Sequence, residues 1–331
     1  MQLQADVVVG LQAGDEAKGK VTHHLCKSGE FTHVLRFNGG CNAGHTIYHE
    51  GKRFVTHHIP AGVFFGIKSI IGPGCVLNID QFFKELAELQ AGGVDTEGLI
   101  YVSKNTHIIT DSHIAEESLE SKIGTTKRGN GPAYRDKYFR QGLRASEVQS
   151  LKPYLIDMYE EFYGSETPAN VLCEGAQGFE LDIDWGDYPY VTSSHCTTAG
   201  ALLNGLPPSA LRKVWGVGKI YQTYVGSKSF EPADEEFKKI REYGEEYGAT
   251  TGRPRQCNWL DIDKLSRAIN VNGVTDLVLN KVDVMRRLGV WKLIIGGQVR
   301  EFTTESEMKS FIKDSVATEL NIYFSESKEK I

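Results

Sequence analysis

A chain of 331 residues with 40% hydrophobic and 24% charged residues has an ordinary globular composition and can bury a full core. Its net charge of -6 counts against nucleic acid or an anionic membrane as the main partner, while leaving room for a local basic pocket. Six scattered cysteines without a CxxC pair count against a zinc site or a disulfide framework, and no apolar run approaches about 18 residues, so a cytoplasmic protein with free thiols is expected.

Residues 5–10 predict a first central strand and 16–27 a first helix, joined by Gly10-Leu11-Gln12-Ala13-Gly14-Asp15-Glu16-Ala17-Lys18-Gly19-Lys20. Glycines let backbone approach an anion, amides at a helix start point at it, and lysines add positive charge. Gly14-x4-Gly19-Lys20 has P-loop spacing, but Val21 stands where a magnesium-binding hydroxyl is required. Asp15 and Glu16 would repel a polyphosphate unless given a role, and Asp15 reads as a general base or a metal ligand.

Val34–Phe37 reads as a second strand running into a second glycine loop, Asn38-Gly39-Gly40-Cys41-Asn42-Ala43-Gly44-His45-Thr46. Two such loops after two strands suggest one site, because ligands gather at the carboxyl ends of strands in open α/β sheets. Phe54-Val55 and Ile70-Ile71 are strand-like. Asn78, with Gln81 three residues on, caps a helix with Phe82, Leu86 and Leu89 on one face, stopped by Gly92-Gly93. Strands follow at 99–102 and 108–109, then a polar helix at 111–122. Residues 124–134 are too rich in Gly and Pro for regular structure and read as a loop that is either functional or disordered. A helix is predicted at 146–163, and a strand at 170–173 that opens into Glu174-Gly175-Ala176-Gln177-Gly178. Further on come a strand at 214–221, a charged surface helix at 233–247, a basic loop at 248–255, a helix at 261–270 and a strand at 277–279 before Asn280-Lys281-Val282-Asp283. The last 25 or so residues read as one helix and a charged tail. No repeat or linker divides the chain, so one domain over 1–331 is expected. His23-His24 and His57-His58 read as hydrogen-bonded or exposed residues, whereas His45 lies in a glycine loop that can face the first.

Seven motifs in order resemble the signatures of the adenylosuccinate synthetase family: the Gly10–Lys20 loop, Asn42-Ala43-Gly44-His45-Thr46, Ile123-Gly124-Thr125-Thr126, Gly131-Pro132-Ala133-Tyr134, Glu174-Gly175-Ala176-Gln177-Gly178, Tyr188-Pro189-Tyr190-Val191-Thr192-Ser193-Ser194 and Gly248-Ala249-Thr250-Thr251-Gly252-Arg253. The resemblance spans residues 6 to about 285. It implies an α/β fold on a large, mostly parallel mixed sheet flanked by helices, with a P-loop-like nucleotide site and small subsidiary elements. It implies a homodimer and the reaction of IMP, L-aspartate and GTP, with magnesium, to adenylosuccinate, GDP and phosphate. The 6-oxygen of hypoxanthine leaves poorly, so it is phosphorylated before the amine of aspartate displaces phosphate.

Under this resemblance Asp15 takes the N1 proton and ligates magnesium, His45 acts as general acid toward the 6-oxygen and the transferring phosphoryl, and Lys18 and Gln177 complete the catalytic set. Gly14, Asp15, Glu16, Ala17, Lys18, Gly19, Lys20, Gly44, His45, Thr46 and Arg255 would hold GTP, with Lys281 and Asp283 at guanine, and Gly44 would lend a carbonyl to the metal. IMP would meet Asn42, Ala43, Thr126, Gln177, Thr192, Arg253 and, from the partner subunit, Arg140. Aspartate would meet Ala249, Thr250, Thr251, Gly252, Arg253 and Arg255.

The chain departs from the family pattern at Ala13, Ala17, Cys41, Lys127, Tyr224 and Pro254. Near its end only Ser325-Glu326-Ser327 stands for the usual Ser-x-Gly-Pro guanine contact. Its shortness resembles the compact archaeal and viral branch, which raises dGMP with aspartate as the alternative substrate pair. Asp15, whose carboxylate favours a purine without a 2-amino group, counts toward IMP. A GTP-binding protein without catalysis is the remaining alternative, and retention of both Asp15 and His45 counts against it.

Overall fold

The computed structural model describes residues 3–164, 167–248, 252–316, 319–327 and 331. In chain order its elements are β1 (Leu3–Gly10), α1 (Lys18–Cys26), β2 (His33–Arg36), β3 (His45–His49), β4 (Lys52–Thr56), β5 (Lys68–Ile71), β6 (Val76–Leu77), α2 (Ile79–Ala91), β7 (Ile100–Ser103), β8 (His107–Ile108), α3 (Asp111–Ser118), α4 (Asn130–Phe139), β9 (Leu155–Ile156) and α5 (Met158–Tyr163). They continue with β10 (Ala169–Glu174), α6 (Thr198–Leu202), β11 (Leu211–Lys219), β12 (Tyr221–Tyr224), α7 (Glu235–Gly244), β13 (Gln256–Asp261), α8 (Ile262–Asn272), β14 (Asp276–Asn280), α9 (Val282–Leu288), β15 (Trp291–Ile295), β16 (Gln298–Phe302), α10 (Glu305–Ser315) and β17 (Asn321–Phe324).

Nine strands form one sheet in the order β17-β14-β11-β1-β10-β2-β5-β7-β9, and every pairing in it is parallel. A parallel sheet covered on both faces needs apolar residues on both sides of each strand. β1 meets this: Ala5, Val7 and Val9 enter one core layer and Val8 the other, where it packs with Val21 of α1, Leu172 and Val217, all fully buried. Each such burial is worth about 1.5–3 kcal/mol. The antiparallel pairing expected within a mixed central sheet lies elsewhere, chiefly in a four-stranded sheet β12-β13-β15-β16 and in the β3-β4 hairpin.

Several sequence expectations hold. Asn78 caps α2 by accepting the Gln81 amide at 2.8 Å, and Phe82, Leu86 and Leu89 are buried along it. All six cysteines are free and buried.

Others are corrected. The stretch 124–134 is irregular only up to Gly129, because α4 starts at Asn130 and runs through Gly131 and Pro132. Proline costs a helix little in its first turn, where the amide has no intrahelical acceptor. The helix expected over 146–163 is broken into 3-10 turns at Ala145–Glu147 and Gln149–Tyr154, strand β9 and the short α5. The strand expected over 214–221 is two strands in two different sheets, β11 and β12. The C-terminal stretch carries a strand, β17, at the edge of the central sheet, besides the helix α10. The hairpin β15-β16 has no counterpart in the sequence reading. No helix among the described residues is long and apolar enough to cross a membrane.

Candidate active site

The loops after β1, β2, β10 and β14 all leave the carboxyl edge of the central sheet and converge on one cavity of about 450 Å³. In a parallel sheet this edge is where connections diverge around a switch point and leave space for a ligand. The β1 loop turns sharply: Gly14, Asp15 and Ala17 all have positive φ (87°, 60° and 73°). Ala17 is the N-cap of α1 and gives no side-chain cap bond, and Ala17, Lys18, Gly19 and Lys20 at the helix start line the cavity, with the Lys20 amide donating to the Ala17 carbonyl at 3.1 Å. Gly19 is required for closeness, since a Cβ there would lie 2.9 Å from His45 Cβ.

Asp15 lies at the cavity wall, and its Oδ2 accepts from Arg255 Nε at 2.7 Å. Arg255 also donates from Nη1 to Glu246 Oε2 at 2.5 Å, and Glu246 further accepts from Lys219 Nζ at 2.9 Å and the Tyr221 hydroxyl at 2.6 Å. Burial opposes ionisation of Glu246, but Lys219, Arg255 and Lys281 prevail and hold its carboxyl at about 2. Glu246, expected on a charged surface helix, is fully buried.

His45 is 8% exposed and lines the cavity. Its Nδ1 lies 2.6 Å from Glu174 Oε1 and 2.9 Å from Arg36 Nη1, and the same Glu174 oxygen accepts from Arg36 Nη1 at 2.7 Å. Glu174 Oε2 accepts the Ala61 amide at 2.9 Å. Burial and then Arg36 push the His45 imidazole down to about 4, against the pull of Glu174, so it is neutral at pH 7. Neither Arg36 nor Glu174 was singled out from sequence as acting on His45. Glu174 stood inside a quoted motif, whereas nothing local marks Arg36.

Gln177 adopts φ 55° and donates from Nε2 to Asn42 Oδ1 at 3.1 Å, tying the β10 loop to the β2 loop. Thr126 and Thr192 line the same cavity, as do Ala43, Gly44, Thr46, Arg253, Lys281 and Asp283. Arg253 donates to the Gly124 carbonyl at 3.4 Å from Nη2. Lys20 donates to Ser325 Oγ at 2.7 Å and the Ser327 carbonyl at 3.1 Å, and burial and then Lys281 lower its ammonium to about 8. The segment after β17 therefore reaches the lysine loop, with Ser327 in the cavity wall. Tyr48, Arg53, Tyr190, Tyr243 and Tyr247 also line it without having been read from sequence as binding residues.

Three expected residues are not in this wall. Glu16 is fully buried and turned into its own loop, where Oε1 accepts the Gln12 and Gly14 amides at 3.2 and 2.8 Å and Oε2 accepts from Lys18 Nζ at 2.6 Å. It shapes the loop, and its charge is met by Lys18. Arg140 is exposed at the C-cap of α4 and outside this cavity, as is the exposed Gly252. Ala249, Thr250 and Thr251 lie outside the described residues.

Among the described residues, the Asp/His set grouped closely enough for a metal is Asp182, Asp184 and His195, none of which lines the main cavity. Within the cavity, Asp15 and Gly44 offer one carboxylate and one carbonyl. That donor set suits magnesium, a hard cation that takes one or two protein oxygens and completes its octahedron with phosphates and water.

A family model described as adenylosuccinate synthetase matches residues 7–162 and 145–317. Adenylosuccinate synthetase of Chlorobium chlorochromatii is 37% identical over 92% of this chain and 83% of the relative. That of Phocaeicola vulgatus is 39% identical over 86% of this chain and 78% of its own. The solved, fully ligated adenylosuccinate synthetase of Plasmodium falciparum superposes with a TM-score of 0.81 at 31% identity, covering 92% of this chain and 85% of that one. The succinoaminodeoxyadenylate synthetase of cyanophage S-2L, bound to dGMP and dATP, shares the fold with a TM-score of 0.74 at 22% identity, over 95% of this chain and 100% of that one. The chain belongs to the adenylosuccinate synthetase family.

Proposed function

We propose that the protein joins IMP and L-aspartate into adenylosuccinate at the expense of GTP. The observation that carries this reading is that Asp15, Lys18, His45, Gln177, Thr126, Thr192, Arg253 and Arg255, far apart in sequence, line one cavity.

Asp15 withdraws the N1 proton of hypoxanthine and makes the 6-oxygen nucleophilic toward the γ-phosphoryl group. For that it leaves Arg255, which is then free to meet a phosphate or a carboxylate of aspartate. The first-turn amides of α1, with Lys18 and Lys20, hold the phosphates. Magnesium, held by Asp15 and the Gly44 carbonyl, supplies charge neutralisation on the phosphates when bound. His45, lowered to about 4, is neutral at pH 7. A phosphoryl group beside it favours the imidazolium, which Glu174 is placed to stabilise, so proton donation is tied to nucleotide occupancy. Asn42, Thr126, Gln177, Thr192 and Arg253 take IMP, with Arg140 completing the phosphate contact across a homodimer. The 249–253 loop takes aspartate. Asp283 accepts from guanine N1 and N2 with Lys281 beside it, and the protein works in the cytoplasm.

One observation favours a second reading with dGMP and aspartate. Ala13, where the family usually has Trp, lines the cavity and leaves room. Phosphate release measured with IMP or dGMP, each with and without aspartate, decides. Release that requires both IMP and aspartate supports the ligase, preference for dGMP supports the second reading, and release indifferent to either nucleotide refutes both.

A further inference from the structure

The β3-β4 hairpin has two unlike faces. Residues paired across an antiparallel ladder point the same way, and successive pairs alternate between the faces. The register pairs Ile47 with Phe54 and His49 with Lys52 on one face, and Thr46 with Val55 and Tyr48 with Arg53 on the other. The first face is anchored in the protein. Ile47 is buried, the Phe54 ring lies 5.1 Å from that of Phe64, His49 Nδ1 lies 3.1 Å from His23 Nε2 of α1, and Lys52 Nζ donates to the Gly92 carbonyl at 2.9 Å. The second face gives Thr46, Tyr48 and Arg53 to the wall of the main cavity, while His45, which opens β3, reaches that cavity at the base of the hairpin. At about 3.3 Å of rise per residue, Tyr48 and its partner Arg53 stand about 7 Å along the hairpin from Thr46.

Six lysines and arginines line this cavity: Lys18, Lys20, Arg53, Arg253, Arg255 and Lys281. Five of them are engaged within the protein. Lys18 donates to Glu16, Arg255 to Asp15 and Glu246, Lys20 to Ser325, Arg253 to the Gly124 carbonyl, and Lys281 to the Gly244 carbonyl at 2.7 Å. Arg53 is exposed and has no hydrogen-bond or ion-pair partner among the described residues. Carboxylates already meet Lys18 and Arg255, so a polyphosphate in this cavity draws its remaining countercharge from other cations of the wall. A guanidinium without a counterion, carried on a hairpin whose back is pinned to α1 and the core, supplies it with a fork of N-H donors matched to phosphate oxygens. Arg53 lies outside the seven motifs that identify the family, so nothing in the spacing of those motifs marks it.

We propose that Arg53 is a further binding residue for the nucleoside triphosphate and contacts its polyphosphate from the hairpin side of the cavity. The inference rests on the triphosphate site of the reading above and adds to it a residue of this chain.

The test is calorimetric titration of the whole protein, with magnesium present and IMP saturating, by the non-hydrolysable β,γ-imido analogue of GTP and separately by GMP. The parent should bind the analogue saturably. Arg53→Ala should weaken the analogue at least ~10-fold and leave GMP, which lacks the outer phosphates, within ~3-fold of the parent. Arg53→Lys, which keeps the charge and loses the fork, should recover part of the lost affinity. Thermal melts matched to the parent's separate a lost contact from a lost hairpin. Analogue affinity unchanged in Arg53→Ala overturns this inference alone, as does a loss shared equally by GMP or an Arg53→Lys variant no better than Arg53→Ala. A parent that binds no analogue overturns it together with the triphosphate reading.

Discussion

At the residue scale, two carboxylates adjacent in sequence have opposite fates. Asp15 faces the cavity, while Glu16 is spent on its own loop, clamped by two amides and Lys18. Asp15→Ala should therefore leave nucleotide affinity within a few-fold yet lower kcat by at least ~10²-fold. Unchanged turnover in a steady-state assay would refute the assignment of Asp15 as base. Glu16→Ala should instead unfold the loop, weakening nucleotide binding and thermal stability together. Asp283→Ala should raise the KM for GTP ~10-fold or more and erase its preference over ATP, the loss of a charged hydrogen-bonding partner being worth about 1.5–3 kcal/mol. A retained preference would move base recognition to Ser327 and its neighbours. Spacing alone made the loop legible, but not which carboxylate points inward, because that depends on amides the folded loop presents. The Glu174 and Arg36 partners of His45 were illegible for the same reason: they meet it from β10 and β2, 129 and 9 residues away.

At the element scale, the sequence was clearest where local chemistry is self-contained. The Asn78 cap of α2 depends only on neighbours, and Asn78→Ala should cost about 1 kcal/mol, read as a lowered urea midpoint with an unchanged slope. A midpoint equal to the parent's would mean that tertiary contacts alone hold the helix start. Long-range pairing hid the rest. Leu155-Ile156 is too short to announce a strand, and becomes one only by pairing with Val102-Ser103. The Gly296-Gly297 turn, with φ of 56° and 75°, is a hairpin signal that the sequence does carry, and it was overlooked between flanks that mix charged and apolar residues.

At the scale of the molecule, the parallel α/β plan was legible from glycine loops following β-branched runs, whereas the strand order needed the structure. The buried polar groups set how the whole fold answers to acid. Burial lowers His45 and His58 to about 4, with Arg36 adding to it at His45 and Glu85 opposing it at His58, so both are neutral when folded and bind protons when unfolded below about pH 6.5. Their contribution to stability is complete above that value and is lost as pH falls toward 4. Glu85 and Glu246, held at about 2 against their own burial by His57 and by Lys219 respectively, lose their contribution only from pH 4.5 downward. The urea midpoint should thus be lower at about pH 5 than at about pH 7, and equal midpoints would show that these imidazoles are solvated. Arg255 adds a different property, since its guanidinium grips Glu246 with one edge and Asp15 with the other. An anion arriving at that edge would compete with Asp15 for Arg255 and leave the Asp15 carboxylate to other partners in the cavity. Occupancy at one end of the cavity thereby alters the ionic state at the other, a heterotropic linkage through which each ligand changes the affinity of the next by a reciprocal factor.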